Sequence, residues 1–183
     1  GILHKKEDSG SVELATMSFG QTFQITPIQL LRAAAAVVNG GTLVTPHFAV
    51  RTQDSDGFVV ETFNWDSDKK AISEQTSATM RDILESVVAE GTGSKAQVEG
   101  YRIGGKTATS QKLPRGNGKY ISSFMTFAPA DDPQIMTLVL IDEPQGVYYG
   151  GTVAGPVMQD FLENILPYMN IEKTEVVEGS KSE

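Results

Sequence analysis

The segment Gly104-Gly105-Lys106-Thr107-Ala108-Thr109 concentrates the groups in this chain that could do chemistry. It offers one ammonium and two hydroxyls beside glycines that let a ligand approach the backbone. Two chemistries compete for it. Read from Gly100, the stretch Gly100-Tyr101-Arg102-Ile103-Gly104-Gly105-Lys106-Thr107 satisfies G-x-x-x-x-G-K-T. In a phosphate loop of that form, backbone N–H groups and the lysine cradle phosphates. Downstream, Leu138-Val139-Leu140-Ile141-Asp142-Glu143 has the form of an apolar strand ending in acids that could handle magnesium. A nucleotide-binding ATPase is therefore one reading.

The surroundings of Lys106 argue against it. A phosphate loop needs a buried strand before it and a helix after it, whose first N–H groups hold phosphate. Ala96-Gln97-Val98-Glu99 is a poor buried strand. Leu113-Pro114-Arg115-Gly116-Asn117-Gly118 cannot propagate a helix. Tyr101, Arg102 and Ile103 are bulky for a phosphate-wrapping loop, and their β-preference favours a strand running through Lys106.

The elements that must position this strand can be read in order. Thr26 caps a helix that starts at Pro27, with Gln29 completing a capping box and Ile28, Leu31, Ala35 and Val38 on one face. Asn39-Gly40-Gly41 stops it. Residues 43–50 and 57–63 read as a hairpin around Gln53-Asp54-Ser55-Asp56-Gly57. Ser73 caps a helix over about 74–90, with a stripe of Met80, Ile83, Leu84, Val87 and Val88, ended by Gly91-Thr92-Gly93. An antiparallel meander follows, with strands at about 101–111, 120–128 and 134–142. The run Ile135 to Ile141 suits a central strand covered on both faces. A last helix, about 153–166, carries Val157, Phe161, Leu162, Ile165 and Leu166, and Pro167 marks its end. The expected organisation is one α/β unit of the α+β type over 1–170, an antiparallel sheet with packed helices. Residues 171–183 are expected to be a linker or disordered tail.

Composition narrows the function classes. The 183 residues include 15 Lys plus Arg against 23 Asp plus Glu, a formal charge of -8. Such a chain repels polyanions, so nucleic acid is not an expected partner. With no cysteine, disulfides, thiolate metal sites and cysteine nucleophiles are excluded. His4 and His47 are the only imidazoles, too few for a multi-histidine zinc site. No metal and no cofactor is expected. No apolar run approaches the roughly 20 residues that span a bilayer.

A series of short signatures gives Lys106 its context. They are Ala15-Thr16-Met17-Ser18-Phe19-Gly20-Gln21, Thr26-Pro27-Ile28-Gln29-Leu30-Leu31, Asn39-Gly40-Gly41 and Gly91-Thr92-Gly93. Gly105-Lys106-Thr107-Ala108-Thr109-Ser110-Gln111, Ser123-Phe124, Phe127-Ala128-Pro129, Tyr149-Gly150-Gly151 and Ala154-Gly155-Pro156 follow. In this order and spacing the chain resembles the C-terminal half of the transpeptidase domain of class B penicillin-binding proteins, from about Val12 to Pro167. The resemblance implies part of the serine penicillin-recognising fold, with the 101–111 strand at one edge of a five-stranded sheet. It implies a peptidoglycan D,D-transpeptidase working through an acyl-serine intermediate, with stem peptides and β-lactams as partners. It also implies a membrane-anchored protein acting on the extracytoplasmic face, the anchor lying N-terminal to these residues.

The same resemblance assigns the site. Lys106-Thr107-Ala108 occupies the place of the family's K-[ST]-G strand. Lys106 would supply positive charge to the site, and Thr107 would offer its hydroxyl to a substrate carboxylate. Thr109 would give its backbone N–H to an oxyanion hole, where a donor is worth about 3–4 kcal/mol. Ala108 stands where the family has glycine, so a methyl that points toward bound substrate would narrow the cleft and weaken β-lactams.

The family's nucleophile lies in S-x-x-K. Ser67-Asp68-Lys69-Lys70 matches the letters but sits in a polar stretch between strand and helix, too close to Lys106. The second motif, S-x-N, occurs nowhere in the chain. The expectation is that residue 1 begins downstream of both, so that the chain alone is inactive and its partner is the N-terminal half of the same domain. Without that half, the 134–142 edge would be open to self-association. A non-catalytic scaffold relative is the remaining reading. Ser18 and Gln21 are expected to organise a loop, His47 and Trp65 to pack, Asp131-Asp132 to make a turn, and Asp142-Glu143 to end a strand.

Overall fold

The computed structural model describes residues 1–2, 5–21 and 23–174, so His4, Thr22 and the 175–183 portion of the expected tail lie outside the described residues. The chain forms two compact units, Gly1–Ser77 and Ala78–Glu183.

In the first unit, α1 (Ser11–Met17) follows a 3-10 turn at Lys6–Asp8. The Ser18 Oγ donates to Ala15 O at 2.7 Å, back onto the last turn of α1. Helix α2 (Pro27–Val38) starts as its sequence dictates: Thr26 Oγ1 accepts from Gln29 N–H while the Gln29 side chain accepts from Thr26 N–H. It ends where Gly40 and Gly41 take φ of 81° and 94°, which a side chain would resist. Its buried residues are Ala34, Ala36 and Val38, whereas Ile28 is 53% exposed. Helical spacing identifies an apolar face; it does not supply a neighbour to cover the first turn. The hairpin is shorter and later than its pattern suggests. Strand β1 (Arg51–Gln53) pairs antiparallel with β2 (Val59–Thr62), and residues 43–50 form no strand. Asp54 fixes the turn by accepting from the N–H groups of Asp56 and Phe58. His47 and Trp65 pack on each other at 5.3 Å between ring centroids.

Helix α3 (Glu74–Ala89) begins with Ser73 Oγ accepting from Thr76 N–H at 3.1 Å. Its stripe is buried only at Val88, and Ile83 is 52% exposed. In the second unit, β3 (Gly104–Gln111), β4 (Tyr120–Ala128) and β5 (Ile135–Asp142) form an antiparallel sheet in that order. Residues 101–103 precede the first strand instead of belonging to it. The central place falls to β4, not to the apolar run of β5, which is an edge of the described sheet. Serines and threonines mask the burial of β4. Ser122 and Thr126 are fully buried, their hydroxyls engaged by Tyr148 O and by Thr137 with the Met158 sulfur.

After β5 come α4 (Gly150–Val153) and α5 (Gly155–Tyr168). The stripe of α5 that reaches the core is Met158, Leu162 and Leu166, each fully buried and worth roughly 1.5–3 kcal/mol. Val157 and Phe161, expected on that face, are 49% and 44% exposed. Pro167 lies inside the last turn, and the helix runs one residue past it. Ile171 then returns to the core at 5% exposure, and Thr174 N–H donates to Gly100 O at 2.7 Å. The first four residues of the expected tail are thus docked.

Candidate active site

Lys106, Thr107, Ala108 and Thr109 lie mid-strand in β3, at the sheet edge. No helix follows Thr107, as a phosphate loop requires, because the strand continues to Gln111. Nor are the acids at the end of β5 free for magnesium. Asp142 and Glu143 sit 2.7 and 2.9 Å from Lys112 Nζ, and Lys119 reaches Glu143 at 3.1 Å. The Lys112 and Lys119 ammoniums hold the Glu143 carboxyl below the usual range, and the Asp142 and Glu143 carboxylates push Lys112 up. The ATPase reading loses both of its supports.

Two alternations fix what β3 presents. The first concerns the main chain. Lys112 N–H donates to Lys119 O at 2.9 Å, one step beyond the register that pairs Gln111 with Tyr120. In an antiparallel ladder, hydrogen-bonded pairs recur every second residue. The even-numbered residues of β3 therefore bond to β4, while the N–H and C=O groups of Thr107 and Thr109 face the open edge. Lys106 confirms the direction: its Nζ reaches Thr107 O at 2.8 Å. The second alternation concerns side chains. Lys106, Ala108 and Ser110 share one exposed face of β3, and Thr107, Thr109 and Gln111 share the other. The Ala108 methyl thus stands on the same face as the Lys106 ammonium.

The Thr107 face is closed by two segments distant in sequence, the Gly91–Gly93 turn and the start of α4. Thr92, between Gly91 and Gly93, places its Oγ1 3.1 Å from Thr107 Oγ1. Gly150 N–H donates to Thr109 Oγ1 at 3.0 Å. Both segments approach so closely that a side chain would not fit. A Cβ on Gly150 would lie 2.3 Å from Ala108 O and 2.6 Å from Ser123 O, and one on Gly151 would lie 2.4 Å from Thr92 O. In the sequence reading Thr92 belongs to a helix-ending turn, and both Thr92 and Gly150 have a place in the signature series, but neither has a part in the site. Gly-Thr-Gly and Gly-Gly are the signal that could have found them, because glycine pairs mark close backbone approach.

Upstream, Arg102 anchors the entry to β3. Its Nε and one terminal nitrogen donate to the two Glu85 oxygens of α3 at 2.7 Å each, and Asp131 lies 3.4 Å away. The Glu85 carboxylate pushes the Arg102 guanidinium further up. Asp131 is a turn residue paired with that arginine, not half of an acid–base dyad.

Ser67 is not placed like a nucleophile. It lies in an irregular segment, and Lys70 donates to Gly40 O at 2.9 Å and pairs with Glu74 at 3.5 Å.

The chain as a whole resembles known proteins. The chain is 46% identical over 177 residues to Stage V sporulation protein D of Bacillus subtilis (strain 168), matching 94% of this chain and 27% of that protein. It is 34% identical over 179 residues to the probable peptidoglycan D,D-transpeptidase PenA of Neisseria flavescens, 95% of this chain and 42% of the relative. The chain therefore spans well under half the length of these relatives. Penicillin-binding protein 3 of Mycobacterium tuberculosis, complexed with ampicillin, superposes with a TM-score of 0.85 at 25% identity, over 98% of this chain and 42% of that one. The apo transpeptidase domain of penicillin-binding protein 3 from Burkholderia pseudomallei gives 0.77 at 32% identity, over 94% and 51%. The family model for the penicillin-binding protein transpeptidase domain matches residues 1–163. The chain belongs to the penicillin-binding protein transpeptidase family.

Proposed function

We propose that this chain forms one wall of a serine D,D-transpeptidase site that binds peptidoglycan stem peptides and is acylated by β-lactams. The observation that carries the reading is the β3 edge. Thr109 turns outward an N–H that pairs with no strand among the described residues, and an ammonium and a hydroxyl stand on adjacent residues. An extended peptide can add to such an edge through main-chain hydrogen bonds. Lys106 favours negative charge beside it, and the Thr107 hydroxyl can donate to a terminal carboxylate. The Thr109 N–H is suited to the oxyanion that forms when a serine hydroxyl adds to the scissile carbonyl.

The reaction runs in two steps. The serine oxygen bonds to the carbonyl carbon, its proton passes to the leaving amine, and the terminal D-alanine departs. The amine of a second stem peptide then attacks the ester, giving the cross-link and restoring the serine hydroxyl. The serine comes from outside these 183 residues, since Lys70 in the lone S-x-x-K match is committed to Gly40. The chain alone is therefore inactive, and it completes a site with the remainder of the domain. By family, the site works at the extracytoplasmic face of the membrane. No described helix is long and apolar enough to cross one.

Fluorescent-penicillin labelling of the full-length gene product tests the reading. Wild type should form a covalent adduct, and Lys106→Gln should form it at least tenfold more slowly. A full-length protein that stays unlabelled at saturating probe would favour a non-catalytic scaffold, with Ala108 as one of its marks.

A further inference from the structure

Thr92 reaches the site from a loop 15 residues before Thr107, and its surroundings hold it there. Gly93 N–H donates to Val87 O at 3.0 Å, and the backbone at Gly93 packs against the Phe124 ring. On the other side Gly151 presses on the Thr92 carbonyl. The Thr92 hydroxyl is thus set against Thr107 Oγ1 at 3.1 Å by main-chain packing from two directions.

A pair of hydroxyls shares one proton between them, and each oxygen has a single hydrogen to give. If Thr107 donated to Thr92, its hydrogen would be spent. If Thr92 donates to Thr107, the Thr107 hydrogen is free for a ligand. An anionic acceptor at the β3 edge selects the second arrangement. Hydrogen bonds in a chain polarise one another, so the donated proton also strengthens Thr107 as a donor.

We infer that Thr92 is a positioning residue: its hydroxyl donates to Thr107 and commits the Thr107 proton to the carboxylate of the bound acyl donor. The inference rests on the transpeptidase reading above and adds to it a carboxylate-specific role for a residue outside β3.

The test uses the full-length protein and two probes, benzylpenicillin and its uncharged methyl ester. Thr92→Val removes the hydroxyl at nearly constant shape. It should slow acylation by benzylpenicillin roughly tenfold, the upper scale of one lost neutral hydrogen bond. It should change acylation by the ester less than twofold. Thr92→Ser should restore the benzylpenicillin rate. Thr92→Ala takes the place of the valine variant if that variant does not fold. Equal slowing with both probes would make Thr92 merely structural and overturn the inference, as would unchanged rates with both. Wild-type protein that forms no penicilloyl adduct would overturn the transpeptidase reading itself and the inference with it.

Discussion

Gly150→Ala offers a sharp test of how the site is braced. The new Cβ would meet Ala108 O at 2.3 Å and Ser123 O at 2.6 Å. Both are main-chain atoms of paired strands, so no flexible side chain can yield. The Tyr149–Gly151 segment must instead retreat by about 1 Å to restore ordinary contact. That movement stretches the 3.0 Å bond from Gly150 N–H to Thr109 Oγ1 to about 4 Å, beyond hydrogen-bond reach. Overpacking costs about 1–3 kcal/mol and the lost bond about 1 kcal/mol more, together about 2–4 kcal/mol. For a chain of this length that is a fall in melting temperature of roughly 5–15 °C. Thr109→Val removes the bond without the clash and should cost about 1 kcal/mol. Thermal and urea unfolding of both variants separate the effects. If Gly150→Ala costs no more than Thr109→Val, the close approach is not what seats the loop, and the reasoning fails.

Four further outcomes are expected. In the full-length protein, Ala108→Gly should speed β-lactam acylation by a few-fold to about tenfold, because the methyl stands on the Lys106 face and a methylene-sized group is worth that much in a fitted site; equal rates would remove Ala108 as a determinant. Glu143→Gln should lower the melting temperature at neutral pH. Glu143 has a lowered folded-state pKa, so its contribution is present above the ordinary carboxylate range and is lost as pH falls through the lowered value. A gap between wild type and Glu143→Gln that persisted unchanged in strong acid would contradict this. Lys112, shifted upward, should hold its share until pH rises past the usual lysine range. Finally, the isolated chain should show concentration-dependent light scattering from the β5 edge, where Leu140 is 44% exposed, and Leu140→Lys should suppress it. A clean monomer at high concentration would count against that edge as the source.

Local signals in the sequence were legible where the physics is local. Thr26, Pro27 and Gln29 determine the start of α2 within four residues, and they appear as read. Bulky residues before Lys106 and Pro-Gly chemistry after it favour a strand there over a loop-to-helix junction, and β3 follows. What stayed hidden depends on partners far along the chain. Thr92 gains meaning only from Thr107, and Gly150 only from Ala108 and Ser123. Burial order was hidden by composition: the hydroxyls of β4 look solvent-facing until Tyr148, Thr137 and Met158 are seen to satisfy them. The apolar run of β5 reports how it is covered, not where it sits in the sheet. Exposed Ile28, Ile83 and Phe161 make the same point for helices, since an apolar stripe states a need that this chain alone does not always meet.

The outward alternation of β3 bears on how such a site can change over evolutionary time. What Thr107 and Thr109 turn to the open edge includes main-chain N–H groups, and every residue except proline encodes that same donor. Point mutation cannot delete it without breaking the strand. Side-chain replacement can act on the other parity, where Lys106, Ala108 and Ser110 project from the strand, and leave those main-chain donors in place. The strand separates a constant grip from an adjustable wall, and Ala108 stands on the adjustable side.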